Sequence, residues 1–146
     1  MTVDPSLPQG EAKAAAVQKM FDSIAPRYDL VNRIMTFRMD VGWRKRAIRE
    51  LGLPSASLVA DLASGTGDLC IELRKHGHRA ISVDFSLGML LADRSHAPRM
   101  QGDVTNLGFR AASLDGAVSG FALRNFVDLG AFFDELGRTV RPGGRI

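Results

Sequence analysis

The sequence predicts an α/β fold, a mostly parallel sheet between two layers of helices behind an N-terminal helical cover. Three observations predict it. The runs Leu58–Leu62, Arg79–Asp84 and Ala117–Phe121 are short and largely apolar, as in strands covered on both faces. They alternate with segments of helical period, the signature of βαβ units with right-handed crossovers. A glycine turn, Gly65-Thr66-Gly67, follows the first run directly. A chain of 146 residues supports one domain with one core.

Residues 1–10 are polar, contain proline and are expected to form a flexible tail. Residues 11–56 are expected to form the helical cover. Val17, Met20, Phe21 and Ile24 fall at i, i+3, i+4 and i+7 of a first helix, which Pro26 ends. Leu30, Val31, Ile34 and Met35 suggest a short second helix. Trp43, Ala47, Ile48 and Leu51 suggest a third, stopping near Gly52 and Pro54. These stripes read as core contacts in preference to a ligand box. From Ser57 the period changes, and residues 57–146 are expected to form the ligand-binding core. Its elements are a strand at 58–62, a helix over 67–76, a strand at 79–84, and a helix capped by Ser86. A third strand follows at Arg99–Gln101, a fourth at Ala117–Phe121, and a helix from Ala131 to Val140 carrying Phe132, Phe133 and Leu136.

Composition excludes several classes. Apolar residues make up 45% and charged residues 24%, the balance of a globular chain. Cys70 is the sole cysteine, which rules out an internal disulfide and fits a reducing cytoplasm. It reads as a small buried thiol, because no histidine lies near it in sequence. His76, His78 and His96 read as surface residues, and no metal site is expected. The start lacks a basic region followed by an apolar run, so no signal peptide is expected, and no stretch is long enough to span a membrane. Residues 1–56 carry nine Lys/Arg against six acids, whereas residues 57–146 carry ten of each. The basic excess reads either as a solvated helix face or as attraction to an anionic membrane surface or partner. No nucleic-acid partner is expected, since the basic cluster lacks interleaved aromatics beyond Trp43.

In a parallel sheet the ligand sits beyond the carboxyl ends of the strands, near the switch in strand order. The first strand delivers Asp61, Gly65, Thr66 and Gly67 there, the second Asp84, the loop after the third Asp103, and the fourth Gly120-Phe121 followed by Arg124-Asn125. The glycines permit a tight turn and close approach of a ligand to backbone. The third glycine of a dinucleotide fingerprint is replaced by Cys70. Asp68 follows the turn, where a pyrophosphate would meet a competing anion, so the pattern favours a ligand with a positive centre over NAD. Asp84 can accept both hydroxyls of a ribose. Asp103 can accept from an exocyclic amine or serve only as a turn residue. Phe85 and Met89 can sandwich an adenine, and Met89 fits the core equally well. Ribose, adenine and a positive centre together describe S-adenosyl-L-methionine.

The blocks Met20-Phe21-Asp22-Ser23-Ile24-Ala25-Pro26-Arg27-Tyr28-Asp29, Asp61-Leu62-Ala63-Ser64-Gly65-Thr66-Gly67-Asp68, Asp84-Phe85-Ser86-Leu87-Gly88-Met89-Leu90, Leu123-Arg124-Asn125 and Arg141-Pro142-Gly143-Gly144-Arg145 resemble the ubiquinone/menaquinone biosynthesis C-methyltransferases of the UbiE/MenG type. The resemblance implies a Rossmann-like class I methyltransferase three-layer sandwich and S-adenosyl-L-methionine as methyl donor. It implies that Thr66, Asp84, Asp103, Val104 and the position of Gly120 contact this cofactor. Two departures stand out: the family commonly has serine at Gly120, and proline at Gly108.

The implied reaction is methyl transfer to a ring carbon of a demethylated, lipid-tailed quinol, a benzoquinol or a naphthoquinol. The ring carbon is nucleophilic when the neighbouring hydroxyl gives up its proton. Arg124 is expected to stabilise the phenolate and Asn125 to orient the ring. Tyr28 and Asp29, on the cover, are expected to hold or deprotonate the quinol. The basic cover fits a cytoplasmic protein that meets such a substrate at the membrane surface. Relatives of this type are longer, and Arg141–Ile146 is where a fifth strand begins, so the C-terminal strands are expected to be missing. Strand 4 would then be an open apolar edge, suited to a homodimer. A non-catalytic module that binds the cofactor or a partner is the alternative reading.

Overall fold

The computed structural model describes residues 10–25 and 39–146, the side chains of residues 39 and 40 excepted. The elements are α1 (Gly10–Ile24), α2 (Met39–Glu50), β1 (Leu58–Leu62), α3 (Asp68–Lys75), β2 (Arg79–Asp84), α4 (Leu87–Ala92), β3 (Arg99–Gln101), β4 (Leu114–Val118), a 3-10 turn at Leu123–Asn125, α5 (Leu129–Thr139) and β5 (Val140–Arg145). The expected second helix around Leu30–Met35 lies outside the described residues, as do Tyr28 and Asp29.

The strands form one parallel sheet in the order β3-β2-β1-β4-β5. The chain winds outward from β1 to β3, then returns to place β4 on the other side of β1. The switch in winding opens a crevice above the carboxyl ends of β1 and β4. Side chains alternate across β1. Ala60 and Leu62 pack with Leu114, Ala117, Phe132 and Leu136 on the α5 face. Val59 packs on the other face with Ile48, Leu51, Leu69, Cys70 and Leu73 from α2, α3 and their flanks. Each layer thus buries one face of a sheet that neither layer could cover alone.

The first three strands match the sequence reading. The fourth starts earlier, at Leu114, and Gly120-Phe121 lies in the loop beyond it. Its first half was hidden by Asp115 and Gly116. The Asp115 carboxylate accepts from the Leu58 amide at 2.6 Å and pairs with Arg141 at 3.0 Å. A Cβ on Gly116 would stand 2.8 Å from the Arg145 carbonyl oxygen. Neighbouring strands supply both compensations.

The open β4 edge is corrected as well. β5 pairs with β4 through Leu114↔Val140 and Gly116↔Arg145, with a register shift between the pairs that takes up Pro142 and Gly143. Pro142 is tolerated there because it falls within the register shift, away from the paired positions. The geometric basis for a dimer through β4 is therefore gone. His78 is buried rather than on the surface, while His76 and His96 are exposed. Phe133 points to solvent, and α5 buries Phe132, Leu136 and Thr139 instead.

The first helix departs from the core expectation. No residue of α1 is buried. The helix is fastened to the rim of the crevice by two side chains. Gln18 donates to the Phe85 carbonyl at 3.0 Å, and the Asp22 carboxylate accepts from the Gly88 amide at 2.9 Å and from the Ser86 hydroxyl. Gly88 permits this approach, since a Cβ there would stand 2.9 Å from the Asp22 Cα.

Candidate functional site

The glycine turn is shaped by positive φ angles at Ala63, Gly65 and Gly67, of 58°, 55° and 87°. Gly67 begins α3, and a Cβ there would stand 2.7 Å from the Asp93 Cγ. Asp93 is a buried acid that accepts from the Ser82 hydroxyl and from the Ser95 amide at 2.6 Å. It reserves position 67 for glycine, a role the sequence reading missed. Phe121 also has φ at 59°, a conformation a bulky residue holds only when its surroundings enforce it.

Asp84 ties the turn to the end of β2. One carboxylate oxygen accepts from the Gly65 amide at 2.7 Å, the other from the Ser86 amide at 2.8 Å. Burial raises its pKa, and these backbone donors pull it partly back. Each oxygen retains a lone pair for a hydroxyl donor.

Three concavities meet at Gly120-Phe121. The first, of about 400 Å³, lies between α1 and the carboxyl edge of the sheet. Gly65, Asp84, Phe85, Met89, Asp103, Val104 and Gly120 line it, together with Asn125. Ala14, Val17 and Phe21 of α1 form its roof, so two residues of the stripe expected in the core, Val17 and Phe21, face a cavity, while Met20 and Ile24 are exposed. The second, of about 60 Å³, lies under the glycine turn and is lined by Arg44, Asp61, Thr66 and Asp68 among others. The third is a groove of about 520 Å³ lined by Trp43, Ala47, Leu51, Val118 and Phe121. Trp43 and Phe121 face each other at its rim, with ring centroids 6.0 Å apart and exposures of 51% and 54%.

The structure therefore brings together nearly all the residues singled out around the turn. Gly67 lines none of the three concavities, and its demand for glycine comes from Asp93. Asp103 forms the turn that was the alternative reading, accepting from the Thr105 amide at 2.8 Å and hydroxyl at 2.7 Å, and still lines the first cavity. Arg124 sits on the exposed side of the 3-10 turn and lines none of the three, whereas its neighbour Asn125 faces the first cavity. Cys70 is fully buried, and burial followed by the nearby Asp61 raises its thiol pKa far above the ordinary range, as an inert thiol requires.

Asp68, expected as a competing anion beside the turn, is neutralised, and Asp61 is the acid left without a partner among the described residues. Asp68 is not a bare charge: Arg44 pairs with it at 3.0 Å and Arg94 at 3.5 Å. Asp61 is 1% exposed, and neither carboxylate oxygen has a hydrogen-bond partner among the described residues. Burial pushes its pKa up to about 8, reinforced by Asp84 and Asp93 and partly offset by the facing thiol and amide of Cys70. Those Cys70 groups do not reach hydrogen-bond geometry. An orphaned buried carboxylate in a cavity wall is costly unless a cation completes it. Together with the glycine turn, this donor set fits the positively charged, nucleoside-bearing cofactor expected from the sequence.

One residue of the site was invisible in sequence: Arg44 reaches the turn from α2 and carries no local signal, because it meets the site only through tertiary packing. Phe21 was legible as part of the α1 stripe, but not as a wall of the cavity.

The sequence profile of the ubiE/COQ5 methyltransferase family matches residues 9–146. The chain is 42% identical to a demethylmenaquinone methyltransferase of Corynebacterium kroppenstedtii, over 93% of this chain and 60% of that protein. It is 39% identical to a protein of the same name from Deinococcus radiodurans, over 100% of this chain and 65% of that one. The chain thus spans about 60% of the length of the first of these relatives. Among solved structures it resembles a methyltransferase in complex with the Haloferax volcanii Trm112 methyltransferase activator, with a TM-score of 0.73 and 26% identity over 85% of this chain and 57% of that chain. It shares its fold with the Haemonchus contortus phosphoethanolamine N-methyltransferase 1, solved with phosphoethanolamine and S-adenosylhomocysteine, at a TM-score of 0.74 and 19% identity over 94% of this chain and 32% of that chain. With the glycine turn, the crevice and the sheet order all in register with that match, the chain belongs to the ubiE/COQ5 methyltransferase family and has its Rossmann-like class I methyltransferase fold.

Proposed function

We propose that this chain is the cofactor-binding part of an S-adenosylmethionine-dependent C-methyltransferase acting on a demethylated quinol ring, with demethylmenaquinol as the acceptor. The observation that carries the reading is the cavity between α1 and the carboxyl edge of the sheet, about 400 Å³ and lined by Gly65, Asp84, Met89, Asp103 and Gly120. The names of the curated relatives support the choice of acceptor; the ubiquinone-pathway equivalent is the second candidate.

S-adenosylmethionine supplies a methyl group already activated on a sulfonium. The chain's task is then to bind, align and exclude water. Asp84 accepts the ribose hydroxyls, Asp103 the adenine amine, and Phe85 and Met89 flank the ring. Val104 and the backbone at Gly120 complete the contact. The acceptor ring enters from the groove beside Trp43 and Phe121, which meets the cofactor cavity at Gly120. Asn125 orients it. Arg124, next to Asn125, stabilises the phenolate from the acceptor side, and Tyr28 and Asp29 hold or deprotonate the hydroxyl. Exposed Trp43 beside Lys45, Arg46 and Arg49 on α2 suits a peripheral contact with an anionic lipid surface on the cytoplasmic side. Among the described residues no helix is long and apolar enough to cross a membrane.

The outward position of Arg124 favours one second reading, a module that binds the cofactor without turnover. Methyl transfer from labelled S-adenosylmethionine to demethylmenaquinol, measured beside calorimetric binding of the cofactor, separates the two. Binding with turnover supports the enzyme, binding without turnover selects the module, and absence of binding overturns both.

A further inference from the structure

Phe121 carries a backbone cost that its own packing does not recover. Its φ of 59° puts a bulky side chain in the left-handed region. A core residue offsets such a cost by burying its ring, yet Phe121 stays 54% exposed. Trp43, the single tryptophan of the chain, is left open in the same way, at 51%, although Ile48 on the same helix is buried. The two rings face each other with centroids 6.0 Å apart and planes tilted by 43°. A parallel stack would be closed to a third ring, whereas this tilt leaves the pair open as a wedge. Both rings line the groove of about 520 Å³, and Gly120 and Phe121 line the cofactor cavity as well. A ligand in the wedge is therefore continuous with the cofactor. Ala47, Leu51 and Val118 line the groove without lining the cofactor cavity and keep this stretch apolar. The Ser119 hydroxyl in the same wall is already donated to the Leu62 carbonyl at 2.8 Å.

We propose that Trp43 and Phe121 form an aromatic wedge that holds the non-reacting ring of a fused two-ring acceptor and so selects a naphthoquinol over a benzoquinol. The inference rests on the acceptor reading above and adds the residues that decide between its two candidates. The reacting ring lies beside Gly120, and the fused second ring extends into the wedge, where it meets Trp43 from α2 and Phe121 from the loop after β4. A one-ring acceptor placed for the same reaction stops short of the wedge and leaves both aromatic side chains in water. Offset and edge contacts to the two rings then favour the larger acceptor beyond the apolar area it buries. The strained backbone at Phe121 is what holds its ring opposite Trp43. Neither residue touches the reacting carbon, so the preference is one of affinity.

The test is anaerobic calorimetric titration of the purified chain, saturated with S-adenosylhomocysteine, with naphthalene-1,4-diol and with hydroquinone. Wild-type protein is expected to bind the two-ring diol about ten- to a hundredfold more tightly, from added apolar area and aromatic contact together. Trp43→Leu is expected to cut that preference by about three- to tenfold, the worth of the aromatic contact. Its affinity for S-adenosylhomocysteine is expected to be unchanged, because Trp43 does not line the cofactor cavity, and this shows that the variant is folded. Trp43→Phe keeps a ring and is expected to retain most of the preference. Phe133→Leu removes an equally exposed aromatic from α5, outside the groove, and is expected to change nothing. A nuclear Overhauser contact between the naphthalene protons and the single indole is expected in the wild-type complex, and it needs no variant. The proposal is overturned if Trp43→Leu leaves the preference unchanged or weakens both diols equally, if Phe133→Leu reduces it as much, or if the Overhauser contact is absent. Binding of S-adenosylhomocysteine with binding of neither diol overturns it as well and leaves the cofactor reading standing. If S-adenosylhomocysteine itself does not bind, the cofactor reading falls, and this inference falls with it.

Discussion

Asp61 sets the chemistry of the site because it is the one acid that burial leaves without a hydrogen-bond donor among the described residues. Its pKa of about 8 stands above the ordinary carboxylate value of 3.8. Between those two values the folded chain holds a proton that the unfolded chain has released. Stability of the ligand-free protein therefore falls as pH rises from about 4 to 8. Asp84, Asp93 and Cys70 face the same pocket from β2, the segment after α4, and α3, and they push Asp61 in the same direction or titrate above it. Asp61→Asn is expected to flatten this part of the stability curve, measured by thermal melting at stepped pH. A slope unchanged in the variant would remove Asp61 as its source. A cationic ligand reverses the preference, so cofactor binding near neutral pH is expected to release a proton. Gly67 makes a second residue-scale test. At φ 87° and against Asp93, alanine has neither the conformation nor the space. Gly67→Ala is expected to cost about 1–3 kcal/mol in denaturant unfolding. A neutral result would show that Asp93 can move aside.

At the scale of elements, α1 is the informative one. Its attachment relies on Gln18 to Phe85, and on Asp22 to Ser86 and Gly88. Two blocks of sequence that resemble the same family, around Asp22 and around Ser86, thus turn out to touch. Gly88→Val would drive a side chain into the backbone of Asp22. It is expected to speed amide hydrogen exchange throughout α1 while leaving β1 and β4 protected, and to weaken cofactor binding several-fold by removing the roof. Uniform acceleration across the sheet would mean that α1 is integral to the core. The same element shows why legibility in the sequence was uneven. β1, β2 and β3 were readable because each is an uninterrupted stretch closed by a glycine or an acid. β4 was read late, since the partners of Asp115 and Gly116 lie in other strands. β5 was placed as the start of a fifth strand by resemblance alone, because Arg141-Pro142-Gly143-Gly144 has no apolar alternation, yet its backbone completes the β4 ladder. The stripe on α1 had the right period and the wrong destination. Periodicity says that one face is covered, and cannot distinguish a core from a cavity.

For the whole molecule, strand order places the candidate cofactor residues Asp61, Asp84, Asp103 and Gly120 on one edge of the sheet. The reversal between β1 and β4 gathers Asp61, Asp84, Asp103 and Gly120 from four separate segments. That gathering was legible, because it follows from parallel topology and from residue types at strand ends. The position of Arg44 was not, since it depends on how α2 packs across α3 through Ile48 and Leu51. The meeting of three concavities at Gly120-Phe121 was hidden for the same reason. Under the proposed function, adenosine lies beneath α1 and a flat apolar ring against Trp43 and Phe121. A crystal structure with S-adenosylhomocysteine bound tests it most directly. The account predicts the ribose hydroxyls on Asp84, the adenine between Phe85 and Met89 beneath α1, and the sulfur beside Gly120. A nucleoside seated in the groove by Trp43, or one that leaves Asp84 bound only to Gly65 and Ser86, would contradict it.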